Sequence, residues 1–307
     1  MTHVDEEIAS QPECWQRGVA LAGSIADQLP RRGERVAVVG CGTSWFMAMA
    51  YAALRERAGH GETDAFAASE FPKQRRYDRV LVISRSGTTT EVLDVLRDIA
   101  GNTRTTGILG DARSPAVALV DDPVCLPFAD EKSVVQTRFA TTVLAMLRAH
   151  LGENLDRALR DAAEALAAPL PLDPAALEQV TFLGRNWTVG LAHEAGLKCR
   201  EAARFWAEAY PALDYRHGPI AIAGPGRAVW AFGAVPAGLP DEVTRTGATF
   251  VHSARDPMAD LILAQRLAVA LALHRGLDPD APRHLTRSVV LATRGETDGA
   301  VLDGPAG

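Results

Sequence analysis

Residues 79–89 have the sequence RVLVISRSGTT, in which an apolar run leads into a turn rich in hydroxyl side chains. The apolar run, residues 80–83, is short and has no polar alternation, which is typical of a strand buried on both faces of a parallel sheet. Residues 91–100 follow with apolar side chains at helical spacing. The stretch therefore predicts a strand, a turn and a helix in succession.

The same succession recurs along the first half of the chain. Residues 36–40 form a similar apolar run before the helical segment 45–57, and further short apolar runs lie at 106–109 and 124–126. Alternating strands and helices indicate a parallel sheet with helices on both faces. A long helical stretch is expected over about residues 137–167.

A linker is expected at residues 168–174, because three prolines in this window cannot continue a helix. The pattern then restarts, and the runs that mirror those of the first half are 180–184, 227–232 and 249–252. A repeat of this length indicates a repeated domain rather than a short solenoid unit. The sequence predicts an α/β protein of two tandem doubly wound parallel-sheet domains, at 1–168 and 175–307.

Two turns in the first half combine glycine with hydroxyl side chains. Each follows a predicted strand and opens a predicted helix. Ligands of open α/β sheets bind at the carboxyl ends of strands, where helix N-termini offer unpaired N–H groups. Hydroxyl donors and a closely approaching glycine backbone suit a phosphate monoester. The candidate ligands are Gly42, Thr43, Ser44, Ser84, Ser86, Gly87 and Thr89.

Two alternatives apply to these turns. The hydroxyls could serve only as helix caps, or the turns could belong to a nucleotide-binding enzyme. The dinucleotide pattern fails because position 45 is Trp rather than a third glycine, and the sequence contains no Gly-x-x-x-x-Gly-Lys-Ser/Thr loop. The corresponding second-half turn, residues 233–238, has no hydroxyls, so only the first half is expected to bind an anion.

Acid–base candidates lie in the second half, where residues 189–210 predict one long helix. One stripe of this helix holds Glu194, Lys198, Glu201, Phe205 and Glu208. A solvated ladder of ion pairs is the alternative, but the apolar neighbours favour the wall of a cleft, where a carboxylate beside a lysine can act as a base. His217, in a Gly-Pro turn, is the second candidate for proton transfer.

Composition narrows the class of protein further. The formal net charge of -6 disfavours a broad nucleic-acid-binding surface. The four cysteines are far apart, and the histidines lack ligand spacing, which fits a reducing cytosol and predicts no metal site. The N-terminus lacks the features of a signal peptide, and the most apolar stretch, 267–273, is far shorter than the ~20 residues that span a bilayer. We expect a cytoplasmic protein that binds neither nucleic acid nor membrane.

Several motifs extend this pattern over nearly the whole chain. They lie at residues 7–12, 41–44, 68–71, 84–89, 131–139, 194–201, 207–210, 217–219 and 282–289. In this order they resemble the sugar isomerase (SIS) family of phosphosugar isomerases and binding proteins. The likeness is strongest to the isomerase half of glucosamine-6-phosphate synthase and to its shorter deaminase/isomerase and deglycase relatives.

The resemblance implies a role for each candidate residue. Glu201 matches the base that moves a proton between C1 and C2 of the sugar. His217 matches the residue that opens the sugar ring, which the neighbouring subunit supplies in the synthase. The residues expected to bind the substrate are Gly42, Thr43, Ser44, Ser84, Arg85, Ser86, Gly87, Thr89, Val134, Glu194, Lys198 and Arg287. A homodimer with shared active sites is implied as well, and we expect no cofactor.

Three departures from the synthase bear on the reaction. Arg287 aligns with a lysine that forms an imine, which an always-protonated arginine cannot do. Gln136 replaces a serine of the sugar-contacting loop, and Arg85 replaces a glutamine of the phosphate loop. The resemblance also begins almost at Met1, so glutamine-derived ammonia is not expected within this chain.

We therefore expect a phosphosugar isomerase or an amino-sugar-phosphate deaminase/isomerase. It would act on a sugar 6-phosphate by proton transfer between C1 and C2. The main alternative is a non-catalytic phosphosugar-binding sensor. Sensors of this family usually carry a DNA-binding or partner-binding extension, for which we expect no room before Glu7.

Overall fold

The first half of the chain forms a five-stranded parallel sheet in the computed structural model, which describes residues 2–291. Two helices precede the sheet, α1 (His3–Ala9) and α2 (Gln11–Leu21). The strands are β1 (Val36–Gly40), β2 (Thr63–Ala67), β3 (Arg79–Ser84), β4 (Arg104–Leu109) and β5 (Asp122–Cys125). The accompanying helices are α3 (Thr43–Arg57), α4 (Thr90–Ile99), α5 (Arg138–His150) and α6 (Asp156–Ala167).

The order of the strands in this sheet, β2-β1-β3-β4-β5, positions the two hydroxyl-rich turns. β1 and β3 are adjacent, parallel and buried along their whole length, which is why their sequences are unbroken apolar runs. The chain leaves β1 for β2 on one side and then passes back to β3 on the other, so the topological switch point lies between β1 and β3. The turns at 40–44 and 84–89 therefore flank it.

The second half repeats this arrangement with four strands. They are β6 (Gln179–Gly184), β7 (Ala207–Pro211), β8 (Arg227–Ala231) and β9 (Thr249–His252), and they pair in parallel in the order β7-β6-β8-β9. The helices of this half are α7 (Thr188–Ala203), α8 (Leu239–Arg245) and α9 (Pro257–His274). The predicted α/β class and the predicted apolar strands of both halves are confirmed.

The two sheets share one large apolar core. α7 packs against both α3 and α9, and buried residues of both sheets, including Ile83 and Phe182, belong to the same cluster. The division into domains at 1–168 and 175–307 stays a prediction. By length and composition α9 could cross a membrane, but 72% of it is buried inside this structure, as in the core helix of a globular protein.

The predicted helix over residues 137–167 is wrong in extent. The structure has two helices there, α5 and α6, which are separated by residues 151–155. Gly152 lies in this break with a φ of +85°, a left-handed conformation that glycine adopts without steric cost.

The predicted helix over residues 189–210 is also wrong, because α7 ends at Ala203. Arg204 adopts a left-handed conformation with φ 49°, and its N–H bonds to the carbonyls of Cys199 and Arg200, which closes the helix. Residues 207–211 then pair with β6 as the edge strand β7. Phe205 and Glu208 are therefore not on the helical stripe, which keeps Glu194, Lys198 and Glu201.

Candidate active site

A small cavity of about 30 Å³ lies at the switch point of the first sheet. Both hydroxyl turns, the loop 131–137 and the segment after α9 contribute to it. The lining residues are Cys41, Ser44, Ile83, Ser84, Arg85, Ser86, Thr89, Val92, Gln136 and Arg287. This is the carboxyl end of β1 and β3, where the sequence predicts an anion site. A cavity of about 640 Å³ opens at the opposite, amino end of the same sheet.

The turn after β3 is held by its own hydroxyl groups. The Ser84 hydroxyl accepts a hydrogen bond from the N–H of Gly87 at 3.1 Å, and the Ser86 hydroxyl accepts from the N–H of Thr88 at 3.2 Å. Gly87 has a φ of +60°, and a Cβ added there would lie 2.1 Å from the Ser114 hydroxyl. Because the serine oxygens act as acceptors within the turn, their protons are left for a ligand.

Capping alone does not explain the hydroxyls of these turns. The N-cap residues of α3 and α4 are Gly42 and Thr89, and neither helix has a side-chain cap. Ser44 instead lines the cavity from the first turn of α3. Thr43, also buried, directs its hydroxyl toward α7 of the second half.

Lys198 of α7 connects the two halves at this point. Its ammonium donates to Thr43 Oγ1 at 3.0 Å and to Glu201 Oε2 at 2.6 Å. Glu194 Oε1 lies 3.4 Å from the same nitrogen. The side chains of Lys198 and Glu194 are each 1% exposed, whereas that of Glu201 is 19% exposed. The network therefore presents one accessible carboxylate, that of Glu201, beside the turn that follows β1.

Burial shifts the pKa values of Glu194 and Lys198, the two buried members of this network. Burial and the charge of Glu201 raise the pKa of Glu194 to about 7, although Lys198 opposes the shift. Neither carboxylate oxygen of Glu194 has a hydrogen-bond partner among the described residues. Burial lowers the pKa of Lys198, but the two carboxylates outweigh it, so the pKa of the lysine is raised overall. Lys198 is therefore a permanent cation here, and Glu194 is the group that titrates near neutrality.

Arg85 uses its guanidinium within the protein. The side chain is 1% exposed and donates to three carbonyl oxygens, those of Ser133 at 2.7 Å, Val134 at 3.3 Å and Arg287 at 3.0 Å. Its nearest carboxylate, that of Glu131, lies 3.9 Å away. The predicted contacts of Arg85 and Val134 with substrate stay predictions, and in this structure the two residues bind each other.

Two buried carboxylates hold the loop 131–137 that carries Val134. Glu7 of α1 accepts hydrogen bonds from the N–H of Lys132 at 2.6 Å and from Ser133. Glu131 accepts from the N–H and the hydroxyl of Thr137, at 2.5 and 2.8 Å, at the start of α5. Neither residue was predicted to have a role, although both fall within matched motifs.

Arg287 lies in the segment that follows α9 and returns to the first half. Its guanidinium binds both carboxylate oxygens of Asp130, at 2.6 and 2.7 Å, and donates to the carbonyl of Glu131. The residue also lines the cavity. Arg287 is predicted to bind substrate, and the Asp130 carboxylate would compete with the substrate for its guanidinium.

The same segment is bonded to the turn after β3. The hydroxyls of Thr88 and Ser288 lie 2.8 Å apart, and the N–H of Thr90 donates to the carbonyl of Val289 at 3.1 Å. Residues 285–291, which we call the tail strap, are thus bonded to residues 84–90, and Arg287 of the strap lines the cavity. We call the turn 84–89 the anion turn, after the ligand expected there. In the sequence, only the motif at 282–289 indicates the tail strap.

His217, a candidate identified from the sequence, and Gln136, one of the departures from the synthase, differ in their surroundings. His217 follows β7, is exposed, and makes no side-chain hydrogen bond within residues 2–291. No hydrogen bond or ion pair joins its side chain to Glu201 in the described part of the chain. Gln136, by contrast, lines the cavity, and its carbonyl oxygen is buried there without a hydrogen-bond partner in the described residues.

No family model matches the chain. Among proteins of known name, it is 27% identical over 298 residues to the glutamine–fructose-6-phosphate aminotransferase (isomerizing) of Sulfurisphaera tokodaii, covering 85% of this chain and 51% of that protein. The enzyme of the same name from Thermus thermophilus is 27% identical, with 93% of this chain and 58% of that protein covered. The chain thus spans about half the length of these relatives.

Solved structures match over almost the whole chain. The glucosamine-6-phosphate deaminase of Thermotoga maritima has a TM-score of 0.80 at 28% identity, covering 94% of this chain and all of that one (100%). The tagatose-6-phosphate ketose/aldose isomerase of Escherichia coli has a TM-score of 0.78 at 18% identity, covering 94% and 96%, a likeness of fold. Sequence and fold together confirm the resemblance of this chain to the sugar isomerase (SIS) family.

Proposed function

We propose that this protein is a phosphosugar isomerase or an amino-sugar-phosphate deaminase/isomerase that acts on a sugar 6-phosphate. One observation carries the proposal. Lys198 holds the Glu201 carboxylate of the second half at 2.6 Å and bonds to Thr43 of the first half at 3.0 Å. An accessible carboxylate is thereby tied to Thr43, whose neighbour Ser44 lines the cavity. That cavity lies at a sheet switch point, where α/β proteins bind their ligands.

The cavity suits the phosphate of such a substrate. Ser44, Ser84, Ser86 and Thr89 offer neutral donors, and the amino ends of α3 and α4 lack side-chain caps. A phosphate monoester, with about -1.5 to -2 charges at neutral pH, is stabilised by such donors and by the helix dipoles. Arg287 can add a cation if it leaves Asp130.

Glu201 is proposed as the base that moves the proton. In an isomerisation, its carboxylate takes the proton from C2 of the open-chain aldose, which leaves an enediol, and returns it to C1 to give the ketose. With an amine at C2, the same transfer gives a C2 imine, and water adds to it and releases ammonia. Proton transfer by a positioned side chain contributes typically 10²–10⁴-fold to the rate. Lys198 orients the carboxylate through its hydrogen bond to Glu201 Oε2.

Ring opening is assigned to His217, from the neighbouring subunit of a homodimer with shared active sites. Its exposed position is what such a role requires. Arg287 cannot form an imine with the sugar, so this reaction involves no covalent sugar–enzyme link at that position. The cytoplasmic location belongs to the same proposal.

Release of ammonia is tested first, because the solved structure of 28% identity is named a glucosamine-6-phosphate deaminase. The protein is incubated with ketose 6-phosphates and 2-amino-aldose 6-phosphates, and free ammonia and aldose–ketose interconversion are followed. Turnover of at least one substrate is expected. Tight binding of several phosphosugars without turnover of any would favour the alternative, a non-catalytic sensor.

A further inference from the structure

Arg85 occupies an unusual position for a residue of an anion-binding turn. It stands between Ser84 and Ser86, yet its side chain is 1% exposed and turned into the protein. Its guanidinium reaches two segments that are remote in sequence, the loop 131–137 and the tail strap. Among the described residues, it is the one member of the turn 84–89 that hydrogen-bonds both.

We propose that Arg85 is a positioning residue that couples the anion turn to the other two walls of the cavity. Because one buried guanidinium binds three carbonyls, the turn, the loop and the strap take up their positions together. A phosphosugar that orders the turn then also orders the loop and the strap around its carbon chain. This inference rests on the proposed function, of which it specifies how the substrate is enclosed.

The chemistry of the side chain supports this role. A guanidinium is planar and carries five N–H donors in a fixed fork, whereas a lysine ammonium is a single point of charge. The carbonyls of Ser133 and Val134 are bonded from Nη1 and Nη2, and Arg287 O is also bonded from Nη2. The strap and the loop are also joined directly, because Arg287 of the strap binds Asp130, which lies next to the loop.

The test measures hydrogen exchange in the full chain with and without glucitol 6-phosphate, a sugar-alcohol phosphate that cannot be isomerised. In the wild type, the ligand should slow exchange in peptides covering 84–90, 131–137 and 285–291. In Arg85→Gln, protection should persist at 84–90 and be lost in the other two peptides. The affinity for glucitol 6-phosphate should fall by about tenfold or more, the effect of losing hydrogen bonds from a charged group, while that for inorganic phosphate changes much less.

Thr88→Val is the matched control, because it removes the nearby bond to Ser288 and leaves Arg85 in place. It should keep protection in all three peptides. Equal protection in Arg85→Gln and wild type would overturn the proposal, as would equal loss in both variants. If Arg85→Gln does not fold, Arg85→Lys takes its place with the same expected pattern, and a wild type in which the ligand protects only 84–90 would also overturn it.

This experiment requires binding but no turnover, so its failure is distinct from that of the proposed function. A wild type that turns over no phosphosugar would refute the isomerase and leave the coupling measurable. A wild type in which glucitol 6-phosphate protects none of the three peptides would overturn the coupling, and turnover of the substrate panel would still decide whether the protein is an isomerase.

Discussion

Lys198 and Thr43 form a hydrogen bond of 3.0 Å across 155 positions of sequence. The bond joins the helix that follows β6 to the turn that follows β1, so the equivalent switch-point helices of the two halves meet there. Through it, the accessible carboxylate of Glu201 is linked to the turn of the other half at which we propose that an anion binds. Each half alone lacks one component of this arrangement.

The first prediction concerns this bond. Thr43→Val keeps the size of the side chain and removes the acceptor, which leaves a buried ammonium with one partner fewer. We expect the free energy of unfolding, measured by urea denaturation, to fall by about 1–3 kcal/mol. We also expect a lower kcat/KM in a steady-state assay. Thr244→Val, at an exposed threonine of α8, is the control and should lie within about 0.5 kcal/mol of wild type. Equal stability of both variants would contradict the account.

The second prediction concerns the pH dependence of stability. Burial raises the folded-state pKa of Glu194 to about 7 from the ordinary glutamate value of 4.5. Between these values the folded state holds the proton more tightly than the unfolded state, so this residue makes stability fall as pH rises through the window. Glu194→Gln removes this dependence. Relative to wild type, it should gain roughly 1–3 kcal/mol in stability between pH 4.5 and pH 8.

The measurement is denaturant unfolding of both proteins at several pH values. Glu13→Gln, at an exposed glutamate of α2, is the control and should follow the wild-type curve. A Glu194→Gln curve parallel to that of the wild type would show that the buried carboxyl does not titrate in this window.

The third prediction concerns the turn after β3. Gly87→Ala places a methyl group where the Ser114 hydroxyl lies, in a left-handed backbone conformation. Gly101 has a similar φ of 73°, but a Cβ added there would have no atom within 4 Å. Gly101→Ala is therefore the control. We expect Gly101→Ala to cost about 1–2 kcal/mol, the backbone penalty alone, and Gly87→Ala to cost about 1–3 kcal/mol more. Equal costs in thermal unfolding would mean that the turn moves freely.

The fold was largely predictable because its central strands are buried on both faces. β1 and β3 contain unbroken apolar runs, and the run in β6 is interrupted only by Thr181. Runs this short, bounded by turn residues, favour a buried strand. β7 was predicted as helix because Ala207–Pro211 begins with the helix formers Ala and Glu, yet pairing with β6 overrides that preference. The edge strand β2 is only partly buried, and its sequence carries no clear signal.

The site was predictable only in its local parts. Helical spacing is sufficient to bring Glu194, Lys198 and Glu201 to one face. The partners of Arg85 could not be predicted, because its bond to Arg287 O spans 202 positions and depends on where the strap returns. The pairing of Arg287 with Asp130 could not be predicted either, because the fold brings the two residues together and no local sequence pattern indicates it.

The most direct test of the central claim compares Glu201→Gln with Glu208→Gln. Glu201 contacts Lys198, whereas Glu208, on β7, bonds to Trp206 and Tyr210. Calorimetric binding of glucitol 6-phosphate and turnover of the best substrate from the panel are measured for both. The account predicts that Glu201→Gln binds the ligand within about threefold of wild type and loses about 10²–10⁴-fold in kcat, while Glu208→Gln keeps both. Undiminished turnover by Glu201→Gln would contradict it.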